Sequence, residues 1–353
     1  MRKKAWVIIA VCVVLVTTLG TGLFLWSTQQ QRLPITAGLG IQPIFDPTPV
    51  SDPFADLTIP YLRTRSYISN VSGLQKISEN ANYTSYLANY DSNGLKINGQ
   101  LTQPKGDVPK GGWPAIIFIH GYIPPQQYQT LVNYNAYVDY LARNGFVVFK
   151  IDLRGHDDSE GDPGGAYYSS DYVIDALNAY AALQKTNFVN PEKIGLWGHS
   201  MAGNVVFRSF AAKPEIPAIV IWAGAVYSYT DFGKYGISDN SYQPRPSTSP
   251  TTRKREALFA AHGQFDPADS FWKQVVPTNY LGDLQGAIQV HHAVDDNVVD
   301  IAYSRDVMKL LDGTSITHEL YEYQSGGHNI TGSSFTLAMQ KTVEFFKKHL
   351  FTN

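Results

Sequence analysis

Cysteine is almost absent: Cys12 is the one thiol in 353 residues. That excludes an intrachain disulfide and a cysteine-based metal site, so the fold must be held by its core alone. Charge is also sparse. Asp, Glu, Lys and Arg make up 16% of the chain, and the net charge is −2. No Lys/Arg stripe is present, which speaks against a nucleic-acid partner. There is no internal repeat. What is plentiful is tyrosine, with 22 copies, and the apolar fraction of 44% suffices for a large core. Low charge combined with many Tyr, Asn, Ser and Thr suits an extracytoplasmic protein.

The N-terminus is more specific. Arg2-Lys3-Lys4 is followed by residues 5–26 without a charge. At about 1.5 Å per residue such a stretch spans a hydrocarbon core of about 30 Å. The cations before it favour a cytoplasmic N-terminus. A cleaved signal would need a small-x-small site, and Leu25-Trp26-Ser27 is bulky. The expectation is a single-pass anchor over residues 1–28 with the rest exported, or a secreted chain if the segment is cleaved. Residues 29–80 contain Pro34, Pro43, Pro47, Pro49, Pro53 and Pro60 and read as a tether, part of which packs on the domain that follows.

From residue 81 onward the pattern is that of one α/β domain. Tyr83–Tyr90 and Leu95–Leu101, joined through Ser92-Asn93-Gly94, form an antiparallel hairpin expected at a sheet edge. Apolar runs then follow at 115–119, 146–151, 194–197, 218–222, 288–291 and 319–323. Helical periodicity at 128–143, 171–184, 202–212, 301–311 and 335–349 separates them. Buried Val/Ile/Phe runs with helical crossovers imply a mostly parallel sheet covered on both faces. Residues 227–285 break the rhythm. Their first half is rich in Ser, Thr, Pro and Tyr, and helical spacing returns at 256–265 and 267–276. An insertion of that length beside the C-terminal strand edge is expected to be a lid, with a plain surface loop as the alternative.

Chemistry concentrates after the strands. Ile194-Gly195-Leu196-Trp197-Gly198-His199-Ser200-Met201-Ala202-Gly203 runs from a strand through a glycine-flanked serine into a helix. Such an elbow presents the hydroxyl above a helix N-terminus. A serine needs a base, and the base needs an orienting acid. Asp295-Asp296-Asn297-Val298-Val299 follows one later strand, and Gly326-Gly327-His328 follows the last. Asp296, with its Asp-x-x-Val spacing, is favoured over Asp295 for the acid. His291, His292 and His199 read as packed residues. An oxyanion would be met by the backbone N–H of Met201 and by that of Tyr122 in His120-Gly121-Tyr122, although Tyr122 also suits stacking on substrate. Asp152-Leu153-Arg154-Gly155-His156 reads as an arginine-centred network ordering these loops rather than as a metal site.

These segments together resemble the α/β-hydrolase superfamily. Within it, the resemblance is to the catalytic domains of prolyl-oligopeptidase-like (S9-type) peptidases and their esterase relatives. It extends from residue 83 to the C-terminus. Three positions differ: Ala202 replaces a glycine, His292-Ala293 replaces a His-Gly pair, and Asp300 replaces a proline. The resemblance implies the α/β-hydrolase fold, with Ser200 as nucleophile, His328 as general base, Asp296 as orienting acid and no cofactor or metal. Oligopeptidases of this kind carry a β-propeller before the hydrolase domain. Here fewer than about 90 residues separate the apolar segment from the first strand, less than three blades at about 40 residues each. The expectation is therefore a membrane-anchored serine hydrolase acting on small carboxylic esters. The alternatives are an S9-type peptidase acting on short peptides, or a non-catalytic scaffold that binds a partner through the lid.

Overall fold

A computed structural model describes residues 52–351. The expected membrane anchor and residues 29–51 of the tether lie outside them. Among the described residues no helix is long and apolar enough to cross a membrane. The elements in chain order are α1 (Ile59–Thr64), β1 (Ser72–Glu79), β2 (Tyr83–Ser92), β3 (Leu95–Pro104), β4 (Trp113–Ile119) and α2 (Asn135–Arg143). Next come β5 (Val147–Ile151), α3 (Asp171–Gln184), β6 (Val189–His199), α4 (Met201–Ala212), β7 (Ala218–Trp222) and α5 (Thr230–Tyr235). The last are α6 (Pro250–His262), α7 (Ser270–Val275), β8 (Ala287–Ala293), α8 (Ala302–Leu311), β9 (His318–Tyr323) and α9 (Ser333–Leu350).

The strands form one sheet in the order β1-β2-β3-β5-β4-β6-β7-β8-β9. The first three strands and the β3–β5 pair are antiparallel, and every pair from β5 to β9 is parallel. Successive side chains of a strand face opposite ways, so each apolar run feeds two cores. Ile116, Phe118, Val148, Trp197, Val220 and Trp222 pack against α2 and α9. Ile117, Phe149, Leu196, Ile219 and Ile221 pack against α3 and α4. Each such side chain contributes about 1.5–3 kcal/mol by leaving water. Strand order reverses at β4, between β5 and β6. A crevice at the C-terminal strand ends beside such a reversal is where ligands bind in open α/β sheets.

Four expectations are corrected. The hairpin is not at the sheet edge, because β1 pairs outside β2. Every residue of β1 is exposed, so no apolar alternation marked it. The catalytic domain also begins before residue 81. Thr58 caps α1 and accepts from Tyr61 N–H, Pro60 stands in its first turn, and Ile59 and Leu62 are wholly buried. The helix expected from residue 128 starts only at Asn135, because Tyr134 takes a left-handed conformation (φ 61°). Finally, residues 251–255 are helical. Ser249 accepts from Thr252 N–H and Pro250 opens the helix, so α6 starts well before residue 256. The helical half of the insertion packs back on the start of the described residues. Lys254 pairs with Asp56 at 3.1 Å and His262 with Asp52 at 3.0 Å, which binds the insertion to the residues preceding α1.

Candidate active site

Ser200 stands where β6 ends and α4 begins, at φ 55° and ψ −119°. A non-glycine residue held at positive φ is strained and persists only where its surroundings fix it. Here Ser200 N–H donates to Trp222 O at 2.9 Å, and its own carbonyl accepts from Gly203 N–H at 2.8 Å. The crossing is too close for larger residues at two positions. A Cβ on Gly198 would lie 2.7 Å from Val206 Cγ2, and one on Gly203 would lie 2.7 Å from Gly224 Cα. The methyl of Ala202 is accommodated, wholly buried. The conformation therefore aims Oγ away from the sheet, toward the loop that follows β9.

That loop carries His328. Its Nε2 lies 2.8 Å from Ser200 Oγ, and its Nδ1 lies 2.8 Å from Asp296 Oδ2. The Asp296 carboxyl is wholly buried and fully used. Oδ1 accepts from Val298 and Val299 N–H, and Oδ2 also receives His292 Nε2 at 3.1 Å. Burial alone would raise its pKa. The hydrogen bonds from His292, His328 and Val299 outweigh that and hold the carboxyl well below the usual range. A carboxylate bonded to His328 Nδ1–H fixes the tautomer in which Nε2 is bare and faces the serine hydroxyl.

A family profile described as "Serine aminopeptidase, S33" matches residues 114–238. A second, "BAAT / Acyl-CoA thioester hydrolase C terminal", matches residues 177–352. The thiohydrolase aneE of Aspergillus aculeatus is 29% identical over 176 residues, 49% of this chain and half the length of that protein. Acetyl xylan esterase 1 from Thermoanaerobacterium superposes with a TM-score of 0.56 at 17% identity, covering 81% of this chain and 90% of the esterase. The acylaminoacyl peptidase of Pyrococcus horikoshii superposes at 0.60 and 16% identity, covering 77% of this chain and 42% of the peptidase. The chain has the fold of these α/β-hydrolases, and the residues similar to the two hydrolase profiles take in Ser200, Asp296 and His328.

Met201 opens α4 directly after Ser200, so its N–H belongs to the helix's first turn and has no carbonyl four residues back to serve. Tyr122 lines the same cleft as Ser200, His199 and His328, a space of about 520 Å³. Its hydroxyl accepts from Gln243 N–H of the insertion at 3.1 Å, and its ring approaches Tyr242. The insertion thus touches the cleft through Tyr122 and brings Asp239 and Ser241 to its wall. The Asp152–His156 segment does centre on its arginine. Arg154 Nη2 meets the buried Asp175 at 2.7 Å, with Asp171 beside it at 3.2 Å. Asp152 accepts from Tyr128 OH at 3.0 Å and Thr130 OH at 2.5 Å.

The two adjacent acids part at the turn that follows β8, which ends at Ala293. Asp295 accepts from Gly327 N–H at 2.8 Å and Gly326 N–H at 3.3 Å, bracing the His328 loop from outside. Sequence reasoning missed this, and it missed His292 as a partner of the acid. His292 is a buried packing residue as expected, but its spacing of four from Asp296 across a strand end was the available signal.

Asp296→Asn is expected to cut kcat on a p-nitrophenyl ester by ~10³–10⁴-fold, because the amide cannot fix the His328 tautomer. Asp295→Asn is expected to cost no more than about tenfold, as a support to the loop. Steady-state kinetics of the two variants decide between them, and equal losses would contradict the assignment.

Proposed function

We propose that the protein is an exported, membrane-anchored esterase that cleaves small carboxylic esters through an acyl-enzyme on Ser200. The reading is carried by one observation: a bare His328 nitrogen 2.8 Å from a serine hydroxyl on a strained elbow, with a buried carboxylate behind the ring. Ser200 Oγ attacks the ester carbonyl carbon while His328 Nε2 takes its proton. The N–H groups of Met201 and Tyr122 receive the developing oxyanion. His328 returns the proton to the departing alcohol, whose C–O bond breaks. Water then enters, gives its proton to His328 and attacks the acyl carbon. The C–O bond to Ser200 breaks, Oγ takes the proton back, and a carboxylic acid leaves.

Small esters are favoured over peptides by the cleft. It is lined by the rings of Tyr122, Tyr134 and Tyr137, and Asp239 is the one carboxylate the insertion adds to it. A peptidase that anchors a free amino terminus would be better served by a pair, and Asp239 already accepts from Ser241. The structurally similar acetyl xylan esterase acts, by its name, on an acetyl ester. The membrane part of the reading rests on the uncharged run at residues 5–26 behind three cationic residues.

With a soluble form starting near residue 30, p-nitrophenyl acetate should turn over faster than aminoacyl anilides, and Ser200→Ala should lose ~10⁴-fold or more. Turnover surviving in Ser200→Ala would remove the nucleophile. Anilides cleaved faster than esters would replace the esterase by a peptidase. The full chain should stay in the membrane pellet after an alkaline carbonate wash, and its release into the wash would contradict an anchor.

A further inference from the structure

Three unusual features converge on one hydroxyl, that of Tyr134. The residue is held at φ 61°, a conformation an L side chain rarely adopts. The turn before it is fixed by a buried ammonium, Lys150, which donates to Thr130 O at 2.5 Å and to Asn133 O. Opposite the hydroxyl stands Gly121, where a Cβ would come within 2.8 Å of Tyr134 Oη and 2.9 Å of His199 Nδ1. Strain of this kind marks places where geometry serves a purpose beyond packing.

The hydrogen bonds there admit one order. His199 Nε2 lies 2.9 Å from the carbonyl oxygen of His328. A carbonyl only accepts, so Nε2 carries the hydrogen. Burial, then the neighbouring His328, pull the His199 pKa down to about 3, so the ring is neutral and Nδ1 is bare. Tyr134 OH, 2.7 Å away, must therefore donate to Nδ1, and its oxygen is left to accept Gly121 N–H at 3.0 Å. The chain runs from the turn after β4, through Tyr134 and His199, to the backbone of His328. The amide that follows Gly121 in sequence is that of Tyr122.

We propose that Tyr134 and His199 are positioning residues for the Ser200 reaction: they tie the turn that presents the Tyr122 N–H to the backbone of His328, so that oxyanion donor and base keep one spacing. The proposal rests on the roles given to Ser200, His328 and Tyr122 above. Neither residue exchanges a proton with substrate. Each acts by holding a group that does, so breaking the chain misplaces the donor against the base.

The test is the rate at which a fluorophosphonate labels the full chain in detergent, resolved into kinact and KI. Tyr134→Phe keeps the ring among Phe118, Tyr137 and Trp197 and removes only the hydroxyl. It should lower kinact about tenfold to a hundredfold, with KI little changed. His199→Leu should do the same. His199→Gln, whose amide can accept from Tyr134 and donate to the His328 carbonyl, should stay within about threefold of the parent. Labelling of Tyr134→Phe at the parent rate would overturn the proposal. So would a fall in His199→Gln as large as that in His199→Leu. If Tyr134→Phe melts at the assay temperature, the His199 pair decides alone. Parent labelled and Ser200→Ala unlabelled keeps the nucleophile whatever the relay does, whereas an unlabelled parent removes the nucleophile and the relay with it.

Discussion

Everything at the catalytic edge depends on the backbone of Ser200. A non-glycine residue at φ 55° between a strand and a helix is costly by about 1–3 kcal/mol. The cost is met by packing that cannot relax. Gly198 lets α4 approach β6, and Gly203 lets it approach the end of β7 at Gly224. The parallel strands on either side of β6 are buried from Pro114 to Ile119 and from Ala218 to Trp222, so the strand that aims the serine is packed between close neighbours. Because the serine is fixed, the other groups need only be brought to it, and they come on loops after β4, β8 and β9.

Those loops are held by partners that a three-residue description leaves out. Asp296 is kept ionised in a dry place by two histidines and two backbone N–H groups. The His328 loop is held from outside by Asp295 and from inside by His199. Tyr137 adds a hydrogen bond to Asn329 O, and its ring packs on Phe335 at the start of α9. The insertion enters this arrangement through Tyr122, whose hydroxyl accepts from Gln243 N–H and which lines the cleft beside Ser200.

The parts legible in the sequence are those whose burial writes a pattern. The strands β4, β5 and β7 and the inner half of β6 are nearly all apolar because both faces are covered, and Ser200, Asp296 and His328 stand in that order after β6, β8 and β9. The illegible parts are set by tertiary partners. β1 is exposed on both faces and has no period to read. α6 buries only Leu258, so its start is decided by Ser249 and Pro250 rather than by an apolar stripe. Tyr134 looks like helix, yet Lys150, reaching across from β5, holds the turn before it and leaves Tyr134 at positive φ. His292 looks like core and is core, but its ring nitrogen points at the acid.

The proposed reaction needs a hydroxyl made nucleophilic by one ring. Its most direct test is acid quenching of the protein during reaction with p-nitrophenyl acetate, followed by peptide mass mapping. An acetyl group is expected on the peptide containing Ser200, and far less of it when His328 is replaced by Gln. An acetyl group found elsewhere, or Ser200 acetylated equally well without His328, would contradict it.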